Sequence, residues 1–129
     1  MSEKQPRPTD AELEILQVLW ENGPSSVREV NEVLNSKREV GYTTTLKLMQ
    51  IMLDKGLLER DTASRSHIYA PVALETDIQS QLLNRFLQST FRGSASKLVM
   101  QLLGNHTATS EELEAIKALI DQIEKDKAS

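Results

Sequence analysis

The chain has 129 residues, with 39% hydrophobic and 26% charged side chains, which suits one soluble domain or a small domain with an appendage. It has no cysteine, which excludes disulfides and thiolate metal sites, and no apolar run approaches the ~18–20 residues of a membrane span. The formal net charge of −4 argues mildly against a nucleic-acid partner, because phosphate binding rests on Lys and Arg.

Whole-chain charge can hide a local patch. Between Lys37 and Val72 six basic residues (Lys37, Arg38, Lys47, Lys55, Arg60, Arg65) face four acidic ones (Glu39, Asp54, Glu59, Asp61). This is the only positive stretch. The opening MSEKQPRPTD has no apolar core, so no signal peptide is expected and the protein reads as cytoplasmic.

Thr9 with Glu12 predicts a capping box, in which hydroxyl and carboxylate satisfy orphan amides reciprocally. Leu13, Leu16 and Trp20 follow at helical spacing, with Ile15 and Leu19 alongside, until Gly23-Pro24 stops the helix. Ser26 and Glu29 open a second helix, with Val27, Val30 and Leu34 as its apolar stripe and Arg28, Glu29 and Glu32 facing water. NSKREVG (35–41) is a polar loop. The third helix is expected from about Thr43 to Lys55, with Gly56 as a left-handed stop. LLER (57–60) and SHIYAP (66–71) read as a hairpin around the polar loop DTASR (61–65).

From Glu75 the pattern is helical throughout. DIQSQLLNRFLQSTF (77–91) sets Ile78, Leu82, Phe86 and Leu87 on one side, and Arg92-Gly93-Ser94 breaks it. A short apolar helix (94–105) ends at Gly104-Asn105. Thr109 and Glu112 form a third capping box, followed by Leu113, Ile116, Ile120 and Ile123 at 3-4-3 spacing, the seam of a coiled-coil-like helix. The fold class is therefore mainly α with a small β-hairpin. Residues 1–73 read as a winged helix-turn-helix DNA-binding domain and 74–129 as a helical dimerisation module. The dimer interface is expected at Phe86, Leu98, Leu102, Leu113, Ile116, Ile120 and Ile123, because so short a helical segment cannot bury all its apolar stripes on itself. A bundle packed on the first domain is the competing reading.

Three helices followed by a hairpin place the third helix in a DNA major groove. That helix begins with Thr43, Thr44 and Thr45, although threonine is a poor helix former. One of them is expected to cap the helix, but three cannot all do so. Near a recognition-helix N-terminus a threonine donates to phosphate, accepts from a base amine or touches a thymine methyl. Lys47 shares the face of Thr43, and Gln50 is the next exposed position. Leu46, Met49, Met52 and Leu53 are assigned to the core, and Thr45 to packing or capping. The expected DNA-binding set is Tyr42, Thr43, Thr44, Lys47, Gln50, Arg65 and His67. Arg65 and His67 flank the hairpin tip, within reach of backbone or minor groove. For His67 a solvated surface histidine is the alternative.

The runs TDAELEILQVLWENGPSSVREV, GYTTTLKLMQIMLDKGLLER and RSHIYAP, with FRGSASKLVMQLL before the last helix, resemble the penicillinase-repressor family of bacterial regulators (the BlaI/MecI/CopY type). The resemblance covers nearly the whole chain. It implies a homodimeric transcriptional repressor of palindromic operator DNA, with Thr43, Thr44 and Lys47 as matching third-helix positions. It also implies release by a signal such as cleavage in the dimerisation region, with a membrane-bound sensor metalloprotease as partner. Three departures stand out. The family's Asn-Phe cleavage pair is replaced by Gln101-Leu102, the cysteine motif of copper-responsive members is missing, and Ile51 stands where many relatives have arginine.

No enzyme is expected. His67 and His106 lie in different modules without a metal-ligand spacing partner, and there is no phosphate loop or nucleophile elbow. No cofactor or metal is expected either. A winged-helix protein–protein adaptor without DNA binding is the alternative function, motivated by the acidic balance.

Overall fold

The computed structural model describes residues 7–63 and 65–129. Six helices and one hairpin run in the order α1 (Asp10–Asn22), α2 (Val27–Asn35), α3 (Tyr42–Asp54), β1 (Leu58–Asp61), β2 (Ile68–Pro71), α4 (Glu75–Phe91), α5 (Ala95–Gly104) and α6 (Ser110–Ala128). The chain forms two compact units, the first ending at Leu82 and the second running from Leu83 to Ser129. The expected division between 73 and 74 falls just ahead of α4, whereas the compact units part within that helix. Ile78, in the first turn of α4 and fully buried, belongs to the first unit.

In the first unit the capping boxes form as the sequence expects. Thr9 N–H donates to Glu12 Oε1 at 2.9 Å and Glu12 N–H to Thr9 Oγ1 at 3.2 Å, with the same reciprocal pair between Ser26 and Glu29. The apolar stripes of α1 (Ile15, Leu16, Val18, Leu19), α2 (Val27, Val30, Leu34) and α3 (Met49, Met52) meet in one core with Leu57, Leu58 and Tyr69 of the hairpin region. Each such side chain, taken out of water, contributes roughly 1.5–3 kcal/mol. Trp20 Nε1 donates to the Ala73 carbonyl at 3.1 Å and so ties α1 to the segment that leaves the hairpin.

The end of α3 follows from local stereochemistry. Gly56 takes a φ of +81°, its N–H donates to Leu53 O, and Leu57 N–H donates to Met52 O. These two bonds are the Schellman arrangement, and the accompanying apolar contact is supplied by Met52 and Leu57, both buried. β1 and β2 pair antiparallel with Leu58 opposite Pro71 and Asp61 opposite Ile68, so both strands begin inside the expected runs, β2 ends at Pro71 as expected, and β1 runs one residue into the expected loop. Ser25 exchanges two backbone hydrogen bonds with Tyr69, at 3.0 and 2.8 Å, and extends the hairpin by one bridge. The expected hairpin loop includes Ser64, which lies outside the described residues.

The second unit is helical. Thr109 and Glu112 form the third capping box, and Lys125 and Lys127 place positive charge in the last turn of α6, where the helix dipole favours it. Phe86 and Phe91 meet edge to face with ring centroids 5.6 Å apart. No residue of α5 or α6 is buried. No helix among the described residues is long and apolar enough to cross a membrane.

Candidate nucleic-acid interface

The start of α3 is held by its neighbours rather than by a threonine cap. Gly41 is the N-cap and supplies no side-chain hydrogen bond, which corrects the expectation that a threonine caps this helix. Thr45 points inward instead, completely buried, and its Oγ1 accepts from Asn31 Nδ2 at 2.8 Å. The same Asn31 amide donates to the Val40 carbonyl at 3.0 Å. Asn35 brackets Val40 as well, donating to its carbonyl at 2.7 Å and accepting from its N–H at 3.1 Å. Two asparagines of α2 therefore fix the loop and the first turn of α3 together. Sequence reasoning missed them. The available signal was an asparagine within α2, where helix propensity disfavours it.

With Thr45, Met49 and Met52 inward, the 3.6-residue turn leaves Thr43, Thr44, Lys47, Gln50, Ile51 and Asp54 on the opposite side, all exposed. Leu46 and Leu53 pack against the core as half-buried residues. The second and third members of the threonine run thus part company at one residue of rotation. Thr43 and Thr44 turn to solvent and Thr45 turns to the protein interior.

Beside this face lies a recess of about 460 Å³ lined by Ser26, Arg28, Tyr42, Leu46, Arg65, Ser66, His67 and Tyr69, among others. Three elements converge there: the start of α2, the first turn of α3 and the hairpin. Tyr42, Arg65 and His67 of the expected set share this recess, whereas Thr43, Thr44, Lys47 and Gln50 do not line it. Arg28 is a member the sequence did not announce, because a polar residue in a first turn reads simply as water-facing. Two guanidinium groups, an imidazole, two phenols and two serine hydroxyls at one edge of a helix suit a phosphodiester.

The positive segment is smaller than its composition implies. Lys55 Nζ lies 2.7 Å from Glu12 Oε1, and Arg38 pairs with Glu14, so two of the six cations answer carboxylates of α1. Glu12 is 3% exposed. Burial alone pushes its carboxyl up, but the Lys55 hydrogen bond, the Thr9 contacts and the Lys55 charge together hold it below the ordinary carboxylate value. Lys47 and Arg65 make no ion pair among the described residues.

In the second unit Phe86, Leu102, Leu113, Ile120 and Ile123 of the expected dimer set are exposed, and Leu98 and Ile116 are half-buried. Leu119 and Met100 are more exposed still, at 59% and 72%, and were not in the expected set. Gln101 and Leu102 are exposed within α5.

A family model described as penicillinase repressor matches residues 8–122. The chain is 24% identical over 119 residues to the penicillinase repressor of Bacillus licheniformis, across 92% of this chain and 93% of that one. It is 26% identical over 117 residues to the transcriptional regulator BlaI of Mycobacterium tuberculosis, across 89% of this chain and 83% of that one. Among solved structures, the monomeric form of B. licheniformis BlaI in complex with the blaP half-operator is 28% identical, with a TM-score of 0.51, over 59% of this chain and 93% of that one.

Proposed function

Because the chain belongs to the penicillinase repressor family, whose members are DNA-binding transcriptional repressors rather than enzymes, we propose that it binds palindromic operator DNA as a homodimer, with α3 of each protomer in a major groove. The observation that carries this reading is the outward face of α3. Thr43, Thr44, Lys47 and Gln50 stand exposed together, beside a recess that gathers Arg28, Arg65 and His67. In this reading Thr43, Thr44 and Gln50 meet base edges, Lys47 meets a phosphate or guanine, and the recess groups with Tyr42 hold the adjacent backbone. Titration of duplexes bearing the promoter palindrome at several salt concentrations tests it. Lys47→Ala is expected to lower the slope of log affinity against log salt by about one. An unchanged slope, or binding without sequence preference, rejects the assignment.

Assembly is supported by the exposed seam of α6, where Leu113, Ile116, Ile120 and Ile123 recur at 3-4-3 spacing with none of them buried. Two such modules would set two recognition helices about one turn of DNA apart or a little more. Sedimentation is expected to give a dimer, and a monomer for the double variant Ile116→Glu, Ile120→Glu. A dimer in both refutes this interface.

Repression ends, in the same reading, by proteolysis of the dimerisation module through a membrane-bound sensor metalloprotease. A protease cleft takes extended chain, so Gln101 and Leu102, lying in a helix, require local unwinding of α5 before cleavage. Derepressed cells should contain a fragment ending in this region. An intact chain in such cells excludes this route of release.

A further inference from the structure

The outward face of α3 carries one apolar side chain, Ile51, which is 39% exposed in a row of otherwise polar residues. It lies one turn after Lys47 and two turns after Thr44, so it shares their side of the helix. Single exposed apolar residues are ordinary on protein surfaces. This one stands in the line of side chains that the proposed complex sets into the groove.

The surroundings of Ile51 disfavour a phosphate. Asp54, one turn on and exposed on the same side, would repel one. Lys55, the nearest cation beyond it, is turned to Glu12 with its Nζ 2.7 Å from Oε1. The last turn of α3 therefore faces its partner with an isoleucine and a carboxylate. In the major groove the one apolar feature of the four base pairs is the C5-methyl of thymine, and apolar side chains discriminate through it.

We propose that Ile51 determines part of the operator sequence by packing against a thymine methyl. The inference rests on the reading of α3 as the recognition helix. It adds to that reading a ligand group and a base identity, at a position where the chain has no hydrogen bond to offer. Removal of the methyl from the contacted thymine is expected to weaken binding about fourfold, the consequence of exposing one buried methyl group.

The test uses the full chain and the duplex it selects from a randomised pool. Each thymine of that duplex is replaced singly by uracil, which deletes only the C5-methyl. The wild type is expected to lose about fourfold at one thymine in each half-site. Ile51→Ala should bind the unmodified duplex more weakly by a similar factor and be indifferent to that same uracil, while its thermal melt matches the wild type. Equal sensitivity of wild type and Ile51→Ala at every uracil position overturns the proposal, since the methyl contact then belongs to another residue such as Thr43 or Thr44. Wild-type binding unaffected by any uracil overturns it as well. A pool that yields no preferred sequence removes the recognition-helix reading itself, an outcome distinct from either of these.

Discussion

The two units solve the problem of apolar burial in opposite ways. In the first, Ile15, Leu16, Leu19, Met49, Met52 and Leu57 are all but inaccessible, and helices from three parts of the chain share them. In the second, α5 and α6 bury nothing fully, and Met100, Leu119, Leu102 and Ile120 remain open to half or more of their area or close to it. Both carry helical apolar periodicity, so periodicity by itself does not tell whether a chain covers its own stripe. The difference lies in number and crossing of elements. The first unit encloses a volume with three helices and a hairpin, whereas the second has too few residues to close around its own apolar faces.

That contrast can be broken by mutation. Met49→Ala should lower stability by about 2–5 kcal/mol, because it removes a fully buried side chain and leaves a cavity. Ile123→Ala, at a position 45% exposed, should change stability by no more than about 0.5 kcal/mol at concentrations where assembly is absent. Equal losses in thermal denaturation would mean that the units do not differ as described.

The same contrast recurs on one helix, between adjacent threonines. Thr45→Val strips the half-buried Asn31 amide of one of its two acceptors, leaving only the Val40 carbonyl, and should cost about 1–3 kcal/mol in denaturant melts. Thr44→Val, on the exposed side, should change stability by no more than about 0.5 kcal/mol, and its effect should appear in operator affinity instead. Gly56→Ala comes next. A methyl there meets open space, so the whole cost, about 1–2 kcal/mol, comes from the φ of +81°.

The last contrast concerns charge. Glu12 is buried and paired, whereas the carboxylates of α6 are exposed. Its folded carboxyl lies below the ordinary value of 4.5, so the stability it contributes is present above that value and is lost as pH falls through the folded one. Glu12→Gln should therefore melt lower than wild type at pH 7, by about 1 kcal/mol. The gap should narrow on acidification below the ordinary carboxylate range. A gap that stays constant down to strong acid would show that the Lys55 pair adds nothing.

Much of the fold was legible because its signals are local. All three capping boxes sit where a hydroxyl residue precedes Glu by three positions, and each closes within four residues of chain. Gly23 and Gly56 mark helix ends because their positive φ angles of 87° and 81° are open to glycine at little cost. The outward positions Thr43, Thr44, Lys47 and Gln50 follow from helix geometry once the apolar side is known. The error at the N-cap came from the same kind of reasoning applied one step too far. A hydroxyl near a helix start reads as a cap, but Gly41 precedes Tyr42 in the capping position and Thr45 lies a full turn inside.

The sequence by itself determined the helices, their ends, the order of helix and hairpin that makes a winged helix, and which face of α3 is polar. These depend on residues a few positions apart, whose contacts are set by 3.6-residue and two-residue repeats. Tertiary structure alone decided that Asn31 holds Thr45, that Lys55 turns to Glu12 rather than outward, and that Arg28, Tyr42, Arg65 and His67 come to one recess. Partners fourteen and forty-three residues apart are chosen by how helices pack, and no local pattern records that choice.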